Sequence, residues 1–231
     1  MDAIIIDDPK LRNKSFVFED REDAGYYLAL TLEKFAKKDA AVLAIPSGGV
    51  PIGLAIASHL ELPFDLLIIR KIPVPGNPEA GLGAMSLEGD MVLNESIIDM
   101  LHLTKNDIEN LAKSVMDELR ARNQIFRDGK SLIEIKSKTV ILADDGLASG
   151  YTMMAAARMI RKKEPKEVVV AVPTASADAV KLLSKEVDAI FCPNIRGGHR
   201  FAVAEAYRNW HDLTREDVLI NIMKHSLPSG D

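Results

Sequence analysis

Two aspartates stand where an apolar run ends, in VILADDGLASGYTMM, residues 140–154. Read from residue types alone, the run is a buried strand and GLASG is a turn that opens a helix. The N–H groups of that turn, with the hydroxyls of Ser149 and Thr152, gather at a helix N-terminus. Its partial positive charge makes an anion site, most naturally for phosphate. Asp144 and Asp145 would repel a phosphate unless they face something else. Ribose hydroxyls fit, because a carboxylate accepts from both 2′- and 3′-OH, and Mg²⁺ nearby offsets the charge.

Spacing excludes three other chemistries in this segment. It has no G-x-G-x-x-G for a dinucleotide, no G-K-[ST] ending for a P-loop, and Ser149 falls one position too late for a G-x-S-x-G nucleophile elbow.

The rest of the chain must position this turn. Its 231 residues, 47% hydrophobic and 27% charged, fit a soluble globular protein with one large domain over 1–231. A net charge of -5 gives no nucleic-acid footprint. The single cysteine, Cys192, cannot form an intrachain disulfide, and the five histidines lack metal-ligand spacing. The N-terminus has acidic flanks unlike a signal peptide, and no apolar run is long enough to span a membrane, so a cytoplasmic protein with no membrane partner is expected.

Apolar residues at helical spacing predict a helix over 20–37. AVLAIP (41–46) predicts a strand, the turn SGG follows, and VPIGLAIASHL reads as a helix. FDLLIIRKI (64–72) is a second strand. The segment 73–90 is too rich in proline and glycine for regular structure, and a loop that long inside a compact domain is usually functional or disordered. MVLN (91–94) suggests a short strand. Thr104 and Asp107 form a helix-start box for a long helix to about Phe126, with Ile108, Leu111, Val115 and Leu119 on one face. Strands at 139–145, 167–174 and 189–194 alternate with helices. Strands without alternation, separated by helices, predict an α/β fold, a parallel sheet covered on both faces. Ligands then bind at the carboxyl ends of the strands, where Asp144 and Asp145 sit. Arg70 and Lys71 end the second strand at that edge. The last residues, SLPSGD, read as frayed.

VILADDGLASGYT resembles the phosphoribosyl diphosphate signature of type I phosphoribosyltransferases: an apolar run, two acidic residues, a short variable stretch, then Thr/Ser-Gly-x-Thr. DREDAG, PSGGVPIG, RKIPVPGNPEAGLGAMS, FRDGK and FAVAEAYRNWHDLTREDV extend the resemblance to phosphoribosyltransferases of unassigned substrate over nearly the whole chain. It implies a Rossmann-like core with an inserted long helix (about 96–130) and a small C-terminal hood (about 192–220). Asp144 and Asp145 would hold the ribose hydroxyls, and Mg²⁺ directly or through those hydroxyls or water. Ala148, Ser149, Gly150, Tyr151 and Thr152 would wrap the 5′-phosphate. Ser47, Gly48 and Gly49 would form the diphosphate loop, where such enzymes often use a strained, sometimes cis, peptide. Ser47 stands where related loops often carry a cation, so Arg70 and Lys71 are the candidates for neutralising diphosphate. Residues 73–83 match a mobile flap, and Phe201 or Tyr207 could stack on a base, with Arg196 nearby and His199 or His211 as general-base candidates. GGHR replaces the proline-rich stretch expected there. Alanine at 148 resembles the uracil and adenine enzymes; 6-oxopurine enzymes place an aspartate there.

The implied reaction moves a phosphoribosyl group from phosphoribosyl diphosphate to a nitrogenous base, with Mg²⁺ and in a homodimer. The rivals are a non-catalytic phosphoribosyl diphosphate or nucleotide sensor and, more weakly, a nucleotide hydrolase.

Overall fold

The computed structural model describes residues 2–75, 77–198 and 200–226. Strands β1 (Ile4–Ile6), β2 (Ala40–Ala44), β3 (Phe64–Leu66), β4 (Ile69–Val74), β5 (Asn77–Ser86), β6 (Met91–Leu93), β7 (Thr139–Ala143), β8 (Glu167–Ala171), β9 (Thr174–Ser176), β10 (Ala189–Phe191) and β11 (Asn194–Arg196) are interspersed with seven described helices. These are α1 (Arg21–Thr31), α2 (Gly49–Leu60), α3 (Glu95–Met100), α4 (Lys105–Arg127), α5 (Tyr151–Arg161), α6 (Ala177–Leu183) and α7 (Arg215–Ser226). None is long and apolar enough to cross a membrane.

The central sheet is six-stranded, in the order β1-β10-β8-β7-β2-β3, and every pairing in it is parallel. β2 and β7 are buried at every residue, which is why they carry no polar alternation. Successive side chains go to opposite faces. Leu43, Val140, Leu142, Val168 and Val170 pack with Met153 and Ile160 of α5 and Leu183 of α6. Val42, Ile141 and Val169 pack with Leu28 of α1 and Ile52 and Ile56 of α2. The sheet is thus covered on both faces, as the strand-helix alternation predicts. β1, at one edge, is three residues, too short for periodicity to reveal.

Several expectations need correction. The runs at 167–174 and 189–194, each read as one strand, divide into β8 with β9 and β10 with β11, and β9 and β11 pair in a separate two-stranded sheet. The run at 64–72 is two strands: β3 belongs to the central sheet and β4 to a separate antiparallel sheet, β4-β5-β6. A continuous apolar run does not mark where a chain leaves one sheet for another. The segment 73–90 is largely strand, not loop. Pro73 and Val74 lie where the β4–β5 register shifts. Gly83 sits where a Cβ would come 2.2 Å from the Val92 carbonyl oxygen. That glycine permits close pairing of β5 with β6, the opposite of a strand breaker.

Helix α4 starts with the predicted box: Thr104 Oγ1 accepts from the Asp107 N–H, and the Asp107 carboxylate accepts from the Thr104 N–H. Its Val115 and Leu119 are buried, and Ile108 and Leu111 pack partly buried, over Ile72, Leu82 and Met85 of the antiparallel sheet. Its last residue is pinned to the edge of the central sheet. Arg127 Nε and Nη2 donate to the Asp65 carboxylate of β3 at 2.9 and 2.7 Å, and the side chains are only 7% and 13% exposed. Removing one partner of a buried pair strands the other charge, so Arg127→Ala is expected to lower unfolding stability by about 3–5 kcal/mol in urea melts; a loss near zero would mean the pair is effectively solvated.

Thr214 and Asp217 repeat this capping arrangement ahead of α7, a helix that the reading of 192–220 as hood passed over. Most of the frayed-tail expectation, residues 227–231, lies outside the described residues.

Candidate active site

Asp144 and Asp145 follow β7 and face the loop after β2. In that loop the Pro46–Ser47 peptide is cis, and Gly48 and Gly49 lead into α2. A Cβ on Gly48 would lie 2.0 Å from Asp145 Oδ2, and one on Gly49 would lie 2.5 Å from the Ala143 carbonyl oxygen. Only glycines let the two loops touch. Ala148 and Ser149 are exposed in the next turn. Gly150 takes φ 78° as the α5 N-cap, and Tyr151 and Thr152 form the first turn of α5. Ser176 braces this turn from β9: its Oγ–H donates to the Ala148 carbonyl at 2.7 Å and its N–H to that of Leu147 at 2.9 Å. No side chain caps α2 or α5, so each presents N–H groups at an end suited to anions.

The carboxylates are unequal. The Asp145 N–H donates to Asp144 Oδ1 at 2.9 Å. Burial, then the charge of Asp145, holds the Asp144 carboxyl well above its ordinary value. Burial raises Asp145 too, but Arg21 opposes it: Arg21 Nε–H donates to Asp145 Oδ2 at 2.9 Å. A carboxyl raised in the folded state stabilises that state below its unfolded pKa and loses the contribution as pH rises through the folded value. Asp144→Asn should therefore raise the melting temperature at neutral pH and leave it near wild type well below pH 3.8, the ordinary value. Equal shifts at both pH values would count against this.

A phosphoribosyl transferase domain model matches residues 24–208. The chain belongs to the phosphoribosyl transferase domain family. Two Mycobacterium tuberculosis proteins, of strains CDC 1551 and H37Rv and provisionally named phosphoribosyl transferases, are each 34% identical over 203 residues, 88% of this chain and 46% of theirs. The chain thus spans about half the length of the curated relatives it matches. The crystal structure of TT1426 from Thermus thermophilus is 33% identical, with a TM-score of 0.74 covering 90% of this chain and 98% of that one. The phosphoribosyl transferase fold that the motif resemblance implies is the one observed.

Against that family frame, the structure brings residues 47–49, 144–145 and 148–152 to neighbouring strand ends. Arg70 and Lys71 part company. Arg70 lies opposite Met85, on the α4 face of the antiparallel sheet, and forms an ion pair with Glu118 of α4. Lys71 lies opposite Ala84, which packs in the α5 cluster, so it is carried on the α5 face. It is exposed, with its stem 3.0 Å from where a Gly81 Cβ would stand. Adjacent strand residues point to opposite faces, a constraint that simple proximity in sequence conceals.

Tyr207 is 1% exposed and its hydroxyl donates to the Asp145 carbonyl at 2.5 Å. It supports the Asp145 loop and, buried, offers no ring face to a ligand. Phe201 is partly exposed, under the Arg196 guanidinium at 5.5 Å. Arg196 pairs with Glu205 at 2.6 Å, while Val203 covers the turn at Gly146, 2.6 Å from a Cβ built there. His199 lies outside the described residues. His211 is exposed, and its carbonyl accepts from Arg21.

Arg21 is the residue sequence reasoning missed. It opens α1, where a cation opposes the helix dipole, and a lone arginine between Asp20 and Glu22 at such a position signals a carboxylate partner elsewhere. The signal exists in DREDAG but does not name Asp145.

Proposed function

We propose that this chain transfers the 5-phosphoribosyl group of phosphoribosyl diphosphate to a ring nitrogen of a nitrogenous base, Mg²⁺-dependently, releasing diphosphate. The observation that carries this reading is the meeting of two anion-suited loops at one carboxylate: Gly48 against Asp145, with the α5 turn beyond. One loop suits a diphosphate, the other a 5′-phosphate, and Asp144 and Asp145 lie between them, where a ribose would.

In the reaction the C1–O bond to diphosphate breaks, a C1–N bond forms, and the base gives up its ring proton. Charge builds on the leaving diphosphate and positive character on the sugar ring. The work of the chain is therefore to hold both ends of the sugar and to stabilise the anion. The Ser47–Gly49 backbone and Lys71 serve the diphosphate, the 148–152 turn holds the 5′-phosphate, and Asp144 and Asp145 hold the ribose hydroxyls. No covalent nucleophile is required; Cys192 is buried, and burial pushes its thiol far up. The donor set fits Mg²⁺ held mostly by substrate: no group of three metal-ligating side chains exists among the described residues, and Mg²⁺ commonly takes one or two carboxylates with waters and substrate oxygens. Asp144 and Asp145 would hold it, and when bound it supplies charge neutralisation for the leaving group.

The test is to offer phosphoribosyl diphosphate, Mg²⁺ and a panel of bases and to look for nucleoside monophosphates by mass spectrometry. Tight binding with no product from any base would favour the sensor instead. One observation leans that way: Arg70, the second expected leaving-group cation, is engaged by Glu118. Ala148, where 6-oxopurine enzymes carry an aspartate, predicts little turnover of hypoxanthine or guanine; efficient turnover of either overturns that inference, and product from a pyrimidine supports it.

A further inference from the structure

Arg21 does more than neutralise Asp145. Its side chain is 7% exposed and binds on three sides. Nε donates to Asp145 Oδ2, Nη1 donates to the His211 carbonyl at 3.0 Å, and the guanidinium lies 3.8 Å from the centroid of the Trp210 ring. Tyr207, 5.3 Å from Trp210 between ring centroids, closes the circuit by donating to the Asp145 carbonyl. One arginine thus touches the ribose loop with one edge and the 210–211 backbone and ring with the others. A simple counter-ion needs only the first contact. The planar fork is suited to hydrogen-bond and stack at once, which a lysine cannot do.

We propose that Arg21 is a positioning residue that couples the 207–211 segment to Asp145, so that the ribose loop and the hood beside it are set as a unit. The consequence for catalysis rests on the phosphoribosyl diphosphate reading of that loop; the coupling does not. Arg21 acts through Asp145 and Trp210, and it is not itself assigned a contact with substrate.

Trp210 is the sole tryptophan beside four tyrosines, so its emission under red-edge excitation and the long-wavelength edge of the near-UV circular dichroism, beyond tyrosine absorption, report on this cluster. Phosphoribosyl diphosphate with Mg²⁺ is titrated into wild type, Arg21→Met and Arg21→Lys, followed by Trp210 emission and, in parallel, by calorimetry. Wild type should show an emission change that tracks binding. Arg21→Met should bind about tenfold more weakly, within the range of coupling between linked sites, and should lose the emission change even at saturation. Arg21→Lys should restore part of the affinity but not the tryptophan response. General destabilisation would lower melting temperatures without silencing Trp210 at saturation. A folded Arg21→Met with wild-type affinity and a full response overturns the proposal. If Arg21→Met does not fold, Arg21→Lys decides: a wild-type response there overturns it. If wild type binds no phosphoribosyl diphosphate, the functional reading fails, and the coupling is decided without ligand. Asp145→Ala, or Asp145→Ser if alanine does not fold, removes the carboxylate that Arg21 grips and must then alter the long-wavelength near-UV signal of Trp210; an unchanged signal in a folded variant overturns it.

Discussion

Asp145→Asn is expected to weaken phosphoribosyl diphosphate binding by roughly a hundredfold or more, with the protein still folded. A carboxylate that accepts from both ribose hydroxyls makes two hydrogen bonds of the charged class, about 1.5–3 kcal/mol each, and each 1.4 kcal/mol or so is a factor of about ten. The choice of asparagine matters because Asp145 has a second duty. Alanine would leave the Arg21 guanidinium buried with no counter-charge and would cost about 3–5 kcal/mol of stability. Asparagine still offers Arg21 an oxygen. Calorimetry on Asp145→Asn, checked by melting temperature, therefore separates ligand binding from folding. Unchanged affinity in a folded variant would remove Asp145 from the ribose site.

Lys71→Ala is expected to lower turnover roughly a hundredfold to a thousandfold, the effect of losing one electrostatic stabiliser of developing charge. Ground-state binding should fall much less, because the diphosphate carries its full leaving-group charge only late in the reaction. The α5-face placement of Lys71 makes it the stronger candidate of the original pair, and Arg70→Ala should have the smaller effect on turnover. Equal losses in affinity and in kcat/KM would mean that Lys71 only holds the substrate.

The central sheet was legible because β2, β7 and β8 bury nearly every residue and so read as unbroken apolar runs between periodic helices. The 144–152 turn was legible as a candidate site because the signal lies in a local string, carboxylates, glycines and hydroxyls within about a dozen residues. What escaped was non-local or too short. The antiparallel sheet hid behind prolines and glycines that serve a register shift and a close strand approach. β1 is three residues. The partnership of Arg21 with Asp145 spans 124 positions, and periodicity within a window cannot report it. The aromatic character of Tyr207 suggested ring stacking, but its hydroxyl and complete burial give it a supporting role.

The distance between those partners bears on how the protein is made. The Asp145 loop is held by Arg21 on one side in sequence and by Tyr207 on the other, and the Arg21–His211 hydrogen bond spans 190 positions. During synthesis, which proceeds at about 5–20 residues per second from the N-terminus, Arg21 leaves the ribosome long before either partner. Asp145 can be paired while β8 and β10 are still to be made, but the bracket beneath it closes only after residue 211 has cleared the exit tunnel. A nascent or truncated chain ending before Tyr207 holds every strand of the central sheet and still lacks the contacts that fix the Asp145 loop. Competence to bind would then arrive only after residue 211 is free, and a ribosome-stalled series of increasing length would show it as a step.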